Sequence, residues 1–376
     1  MQYYKRLEEQ KIKTFDEHIL QPIWFGQTVY RETFAMIADD PTCCSAPFLF
    51  HPSRILKVES YDGMTVYEEG TDYYIQDARL IALPSGKIPV CSSNRLYYKT
   101  REDAENELRC MKHDIGFGPV STTDGRFISL QAIDNPSYLT DFQVAVTYQT
   151  TETLTDVSQK SQLIHFPRLA EKLKNHDAIR IALYGDSISC GYDCSGFYHT
   201  APYQLIWPEL VMRHFEKAGI PCFLANGSKA GADTDWAISH FSDQLPPSEP
   251  DLLILAWGMN DRCPGNEYYI KMQQLLTVAH TYYPHAEILL IATTLPHPLT
   301  ATPPIYFTAF QHEYAKQLHA LCGLGIGIAD VQSVQKAVMK KKRFVDISGN
   351  WLNHPNDYLA RIQAQTVCAA LPVPLI

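Results

Sequence analysis

Ser187 is handed over by the apolar run Ile179 to Leu183, which holds one charge at Arg180, through Tyr184-Gly185-Asp186. A short apolar run bounded by turn residues reads as a buried strand, and in open α/β sheets ligands bind outside the carboxyl ends of the strands. A serine delivered there stands on a rigid support and is a candidate nucleophile. Its surroundings are not the Gly-x-Ser-x-Gly elbow, since position 189 is Ser, and that elbow occurs nowhere else in the sequence. Acyl transfer requires a nucleophile, a base to take its proton, and donors aimed at the oxyanion that forms on the attacked carbonyl. Three later segments supply them. Asn226-Gly227-Ser228-Lys229-Ala230-Gly231 follows the apolar run Cys222 to Ala225, and Trp257-Gly258-Met259-Asn260-Asp261 ends the run Leu252 to Ala256. Asn353-His354-Pro355-Asn356-Asp357 carries the single histidine of the last fifty residues. In this reading Ser187 attacks, and His354 is the base and later the acid toward the leaving alcohol. The backbone N–H groups of Ser187 and Gly231 and the side-chain amide of Asn260 form the oxyanion hole. A glycine at 231 suits that task because a residue without Cβ lets its backbone approach a ligand closely.

Taken singly, each segment has a plainer explanation as a helix cap or turn. Together and in this order, they resemble the four blocks of the SGNH (GDSL-type) hydrolases, over residues 179–370. The resemblance implies a serine esterase working through an acyl-enzyme without cofactor or metal. In most of that family an Asp three residues before the His orients the imidazole, but here that position is Trp351. Some two-domain sugar acetylesterases of the superfamily use a backbone carbonyl instead, which would be that of Trp351. Asp346 and Asp357 are the carboxylate alternatives, although Asp357 is better explained as a helix-start residue after Pro355-Asn356.

Two kinds of elements must position these residues, with a change of character near residue 165. Before it, short β-rich stretches at Arg54–Ser60, Thr65–Tyr67, Asp72–Ile75, Leu80–Leu83, Arg95–Tyr98, Phe127–Leu130 and Phe142–Thr147 are broken by turn signals such as Tyr61-Asp62-Gly63 and Asp124-Gly125. This pattern predicts an antiparallel β-sandwich, jelly-roll-like, over residues 1–165. The alternation from Phe142 to Tyr148 predicts a strand with one solvated face. After residue 165, apolar strands at Ile179–Tyr184, Cys222–Ala225, Leu252–Trp257, Ile288–Thr293 and Gly325–Ala329 alternate with helical patterns. The clearest helix runs from Pro208 to a stop at Gly219. Alternating β and α predicts a flavodoxin-like doubly wound parallel sheet over residues 166–376. The stretch 150–165 lacks the composition of a flexible linker, so a fixed interface is expected, with the sandwich walling one side of the cleft.

The chain's 376 residues suffice for two cores, and 45% hydrophobic with 19% charged residues marks a globular protein. A formal net charge of −9 argues against nucleic-acid and anionic-membrane partners and suits a neutral substrate. The first residues have no apolar signal region and no apolar run of membrane-spanning length follows, from which a cytoplasmic location is expected. The ten cysteines show no zinc-site spacing and are expected to be reduced thiols. There is no Gly-rich phosphate loop, and His312-Glu313 lacks a second His, so no cofactor or metal is expected. A sandwich joined to an SGNH domain resembles carbohydrate esterases that remove acetyl groups. An acetylated oligosaccharide is the expected substrate, with Tyr192, Trp236, Trp257 and Trp351 as candidates to stack on sugar rings. The alternatives are a lipid-directed esterase, thioesterase or lysophospholipase of the same superfamily, and a catalytically inactive sugar-binding homologue. Against the lipid reading, Tyr192–His199 is polar where an apolar insertion would hold a tail.

Overall fold

The computed structural model describes residues 3–7, 17–110, 119–128, 140–155, 157, 159–300 and 310–373. Five parallel strands form the C-terminal sheet: β1 Ile179–Gly185, β2 Cys222–Asn226, β3 Leu252–Ala256, β4 Glu287–Ile291 and β5 Ile326–Ala329. Their order is β2-β1-β3-β4-β5, the doubly wound order expected from the alternation of apolar runs and helices. The strands are mostly apolar because both faces are covered, with Arg180, Asn226 and Glu287 near strand ends as exceptions, and the period of two divides the apolar side chains between two cores. Ile181, Leu183, Ile254 and Leu289 face one core with the helices Trp207–Lys217 and Asp357–Ala370. Ala182, Tyr184, Leu253 and Leu290 face the other, with the helices Thr234–Ser239, Gly265–Tyr282 and Gln311–His319. Lys5 adds a bridge to Leu224 on the edge strand β2, exchanging both backbone hydrogen bonds at 2.9 Å. Among the described residues no helix is long and apolar enough to cross a membrane.

The N-terminal strands form small sheets. Gln143–Gln149 lies between Thr28–Ala35 and Arg54–Ser60, and Arg79–Ala82 lies between Ser45–Pro47 and Tyr73–Gln76, all antiparallel. Phe34, Val144 and Val146 of the first sheet share a core with Leu80 and Ala82 of the second. A third sheet sets Phe127–Ile128 between Tyr97–Tyr98 and Val120–Ser121, and one short pair, Ile37–Ala38 with Cys91–Ser92, is parallel. Ser129 and Leu130 of the expected strand lie outside the described residues. The expected strand Thr65–Tyr67 is reduced to a single bridge between Val66 and Glu59. Thr28–Ala35, one of the longest strands, had no counterpart in the sequence reading.

The solvated face expected for Gln143–Gln149 is absent: Gln143 and Ala145 are buried as fully as Val144 and Val146. The reason is the C-terminal chain packed over its start, where Gln143 Nε2 donates to the carbonyls of Ser348 at 2.9 Å and Val345 at 3.3 Å. The same union continues in charge. The wholly buried Lys342 ammonium lies 2.8 Å from Glu32 and donates to the Pro47 carbonyl at 2.7 Å. Glu32 in turn accepts from the Leu49 N–H and the Tyr148 hydroxyl. A buried ion persists only when paired and hydrogen-bonded in this way. Leu359 and Ile362 of the last helix enter the core of the N-terminal sheets, so the two halves have no dry boundary between them.

Candidate active site

β1 ends at Gly185, which leaves no room for a side chain: a Cβ there would sit 2.5 Å from Ser189 Oγ and 2.6 Å from the Ala256 carbonyl. Asp186 then caps the helical turn Ser187–Cys190, its side chain accepting from the Ile188 N–H at 2.9 Å. Gly191 closes that turn at φ 92°, in the left-handed region that glycine occupies at no steric cost. The N–H groups of Gly191 and Tyr192 both return to the Ser187 carbonyl at 3.1 Å, folding the chain back ahead of Asp193. Burial pushes the Asp186 carboxyl up to about 7.

His354 arrives from a separate loop that is wound around two polar side chains. Asn350 Oδ1 accepts from the N–H groups of Leu352, Asn353 and His354, each at 3.0 Å. Ser348 Oγ accepts from the Trp351 N–H and donates to the His354 carbonyl. Asn356 caps the last helix through the Tyr358 and Leu359 N–H groups. The imidazole so placed has its Nε2 2.8 Å from Ser187 Oγ and its Nδ1 in a short hydrogen bond with the Asp193 carboxylate. A carboxylate there fixes the proton on Nδ1 and leaves Nε2 to accept from the serine hydroxyl. All three side chains are buried.

Asp193 is therefore the group on the imidazole N–H, and the expected third members are corrected. The Trp351 carbonyl is displaced from that role because the carboxylate already occupies Nδ1. Trp351 adopts a left-handed backbone at φ 62°, and its ring is buried against Ala35, Ile37, Cys91 and Leu96. Asp346 faces the N-terminal strands, accepting from the Ala35 N–H at 2.8 Å and pairing with Arg343. Burial pushes its carboxyl up, but the Arg343 and Lys342 charges outweigh this and hold it below its ordinary value. Asp357 opens the last helix, and its Oδ1 accepts from the Ser195 N–H at 2.9 Å. Sequence reasoning missed Asp193, six positions after the nucleophile. The available signal was a vacant acid position before the His and an acid in the polar segment following a glycine turn.

Gly231 and Asn260 follow β2 and β3, whose ends flank the end of β1 at the point where the strand order reverses. Gly231 sits at φ 76°, and a Cβ built on it would meet nothing within 4 Å. The positive φ, rather than crowding, is what calls for glycine here. Asn260 Nδ2 donates one hydrogen to the Ala232 carbonyl at 2.8 Å, which ties the two loops together and fixes the direction of its second N–H. Gln311 Nε2 holds the Asn260 loop through the carbonyls of Met259 and Asp261, both at 3.0 Å. Asp261 accepts from the Thr234 hydroxyl at 2.9 Å, and burial raises its carboxyl to about 6. Among the aromatics expected to stack on sugars, Trp257 and Trp351 are wholly buried core residues. Tyr192 packs on Phe197 and lies 6.1 Å from the His354 ring, centroid to centroid. Among the described residues no group of three His, Cys, Asp or Glu could hold a metal ion.

A serine, a histidine and an aspartate are thus hydrogen-bonded in a line at the switch point of an open α/β sheet, an arrangement able to carry out acyl transfer. Residues 183–362 match the family model of the GDSL-like Lipase/Acylhydrolase family. This stretch is similar to GDSL-type acylhydrolase domains and makes up a little under half of the chain. Solved structures similar to the chain include a two-domain esterase active on acetylated mannans, co-crystallised with mannopentaose, at 16% identity and a TM-score of 0.44. That likeness covers 57% of this chain and 54% of the other, so the chain spans about half the length of that esterase. A catalytic mutant of Axe2, an acetylxylan esterase from Geobacillus stearothermophilus, is 14% identical with a TM-score of 0.43, covering 53% of this chain and 96% of its own. A member of the lipolytic G-D-S-L family from Veillonella parvula is 18% identical with a TM-score of 0.38, covering 50% and 96%. No curated protein matches the chain.

Proposed function

We propose that the protein is a serine esterase that removes acetyl groups from acetylated carbohydrates, with a β-domain over residues 1–165 and a catalytic domain over 166–376. The observation that carries the esterase reading is the continuous hydrogen-bonded line from Ser187 Oγ through His354 to Asp193. In this mechanism Ser187 Oγ forms a bond to the ester carbonyl carbon while its proton passes to His354 Nε2. The carbonyl π pair becomes an oxyanion, received by the N–H groups of Ser187 and Gly231 and the free amide hydrogen of Asn260. One such donor is worth roughly 3 kcal/mol of transition-state stabilisation. The imidazolium formed in this step is stabilised by Asp193, which stays ionised. Collapse of the intermediate breaks the bond to the alcohol oxygen, which takes the proton from Nε2. Water then repeats the sequence on the acyl-enzyme, releasing acetate and restoring the serine.

A sugar substrate is supported by the character of the side chains beside the triad. Tyr192 and Tyr198 offer flat rings with hydroxyl groups, and the Tyr198 hydroxyl lies 3.4 Å from Asp193 Oδ1. The test is a homologous series of p-nitrophenyl esters. An acyl pocket closed after one methyl group gives a steep fall in kcat/KM from acetate to octanoate. An open apolar groove would instead gain about 0.8 kcal/mol per buried methylene. A rise along the series rejects the carbohydrate reading in favour of a lipid or thioester substrate; a fall makes acetate release from acetylated manno- and xylo-oligosaccharides the next measurement.

A further inference from the structure

Beside the triad, on the side of the imidazole away from Ser187, lies a cavity of about 780 Å³. Neither Ser187 nor His354 lines it, but Asp193 does. One wall is the N-terminal region, through Tyr61, Tyr67, Lys87 and Asp141; the other is the segment after the nucleophile, through Ser195 and Thr200. Its floor is buried and its rim exposed: Tyr61, Tyr67, Asp193 and Ser195 are buried, whereas Asp62, Lys87, Asp141 and Thr200 are open to solvent.

The two walls are locked at their base by Asp357. Its N–H donates to the Tyr61 hydroxyl at 3.1 Å, and its Oδ1 accepts from the Ser195 N–H at 2.9 Å. The cavity is thus a built feature of the joint rather than a gap left between loosely docked parts. Its volume lies within the range of small-molecule sites, roughly 300–1,000 Å³.

The lining selects a chemical class. Asp62 and Asp141 outnumber Lys87, and Asp193 adds a further carboxylate on the floor, so an anionic ligand is repelled. Among the described residues no hydrogen bond or ion pair holds the Lys87 ammonium, the Asp141 carboxylate or the Tyr67 hydroxyl. Burial and then the neighbouring Asp62 charge push the Asp141 carboxyl up. Unpaired donors and acceptors above two buried tyrosine rings match vicinal hydroxyls around an apolar ring face.

We infer that this cavity binds a neutral oligosaccharide segment remote from the reacting ester, so that the N-terminal region supplies half of a sugar subsite. The inference rests on the acetylated-carbohydrate reading and deepens it. The segment bound there does not touch Ser187, since neither Ser187 nor His354 lines the cavity. The subsite therefore acts on chain length and leaves the chemical step alone.

The test compares Lys87→Ala and Asp141→Asn, both at exposed positions, with the parent on two substrates. On acetylated xylo- or manno-pentasaccharide, KM is expected to rise about tenfold in each variant with kcat unchanged, the effect of losing one hydrogen bond to a charged group. On p-nitrophenyl acetate, kcat/KM should stay at the parent's value. Equal effects on both substrates, or none on either, overturn the subsite. Calorimetry of Ser187→Ala protein with unacetylated xylopentaose and mannopentaose separates this inference from the esterase reading. Binding that Lys87→Ala weakens supports the cavity even if no ester is cleaved. Absence of binding rejects the cavity even if p-nitrophenyl acetate is hydrolysed.

Discussion

From Asp186 to Cys194 the contacts that shape the chain are mostly local: a side-chain cap two residues on, a glycine turn, and two N–H groups returning to the Ser187 carbonyl. From Asp346 to Asn356 the fixing contacts reach far back. Asn356 Nδ2 donates to Gln143 Oε1 and to Thr33 Oγ1, 213 and 323 positions earlier, and Asp346 holds the Ala35 N–H. Ser187 is placed by its own strand and turn, whereas the His354 loop, wound locally on Asn350 and Ser348, is also anchored to the N-terminal strands. The sheets that carry no reacting group are therefore part of what sets the Ser187–His354 distance. That also accounts for the missing acid before the histidine. Trp351 spends its side chain on anchoring the loop to the N-terminal cluster, and the carboxylate comes instead from the locally built nucleophile turn.

The largest expected effect treats the two loops alike. Ser187→Ala and His354→Ala should each lower kcat on p-nitrophenyl acetate by about 10⁶-fold with an unchanged thermal midpoint, since such pairs act as a unit. Residual activity above about a thousandth of the parent in both would remove the pair from the mechanism. The next effect separates two aspartates. Asp193→Asn should cost about 10⁴-fold in kcat by upsetting the imidazole tautomer. Asp346→Asn should cost about 1.5–3 kcal/mol of stability, the loss of hydrogen bonds to a charged group whose Arg343 partner is partly exposed, and leave the folded molecules active. Denaturant titration with activity measured well below the midpoint distinguishes them, and exchanged phenotypes would reverse the roles assigned to these residues. Gln143→Ala probes the remote support directly. It removes the donor to Ser348 and Val345, and a displaced imidazole should lower kcat up to about 100-fold while a substrate's KM changes little. An unchanged kcat would show that the loop holds its own shape. The smallest effect concerns pH and the local loop alone. The Asp186 carboxyl has a folded value of about 7 against an ordinary 3.8, so the folded state keeps a proton that the unfolded chain has released. Its contribution to stability is complete below the ordinary value and is lost as pH rises to about 7. Asp186→Asn keeps a capping acceptor, and its thermal midpoint should fall less than the parent's between about pH 4 and pH 8. Parallel curves would show that Asp186 does not titrate in that range.

The same contrast explains what could be read from the residues alone. The five parallel strands lie within one or two residues of their apolar runs, because a strand covered on both faces needs a mostly apolar sequence. Strand ends then located Ser187, Gly231 and Asn260 at one edge of the sheet. The strand Thr28–Ala35 carries Arg31, Glu32 and Thr33 in its middle, and its apolar pattern is interrupted by groups that are satisfied only through distant partners. Gln143 misled for the same reason, being polar yet buried under the His354 loop. Asp193 escaped because its approach to His354 depends on a left-handed residue, φ 63° at position 193 itself, that no periodicity signals. Gly349 registers that approach from the other side, since a Cβ there would stand 2.6 Å from Asp193 Cβ.

The buried pair between Lys342 and Glu32 constrains how the chain can be born. The ammonium that neutralises Glu32 is translated 310 residues after it, at Lys342. Until then a nascent N-terminal region would have to hold an uncompensated charge in a nonpolar interior, which disfavours closure. Domains commonly fold in the order of their synthesis. Here the strands around Glu32 cannot close over that charge until the segment around Lys342 has been made, so the two regions are expected to complete their fold together.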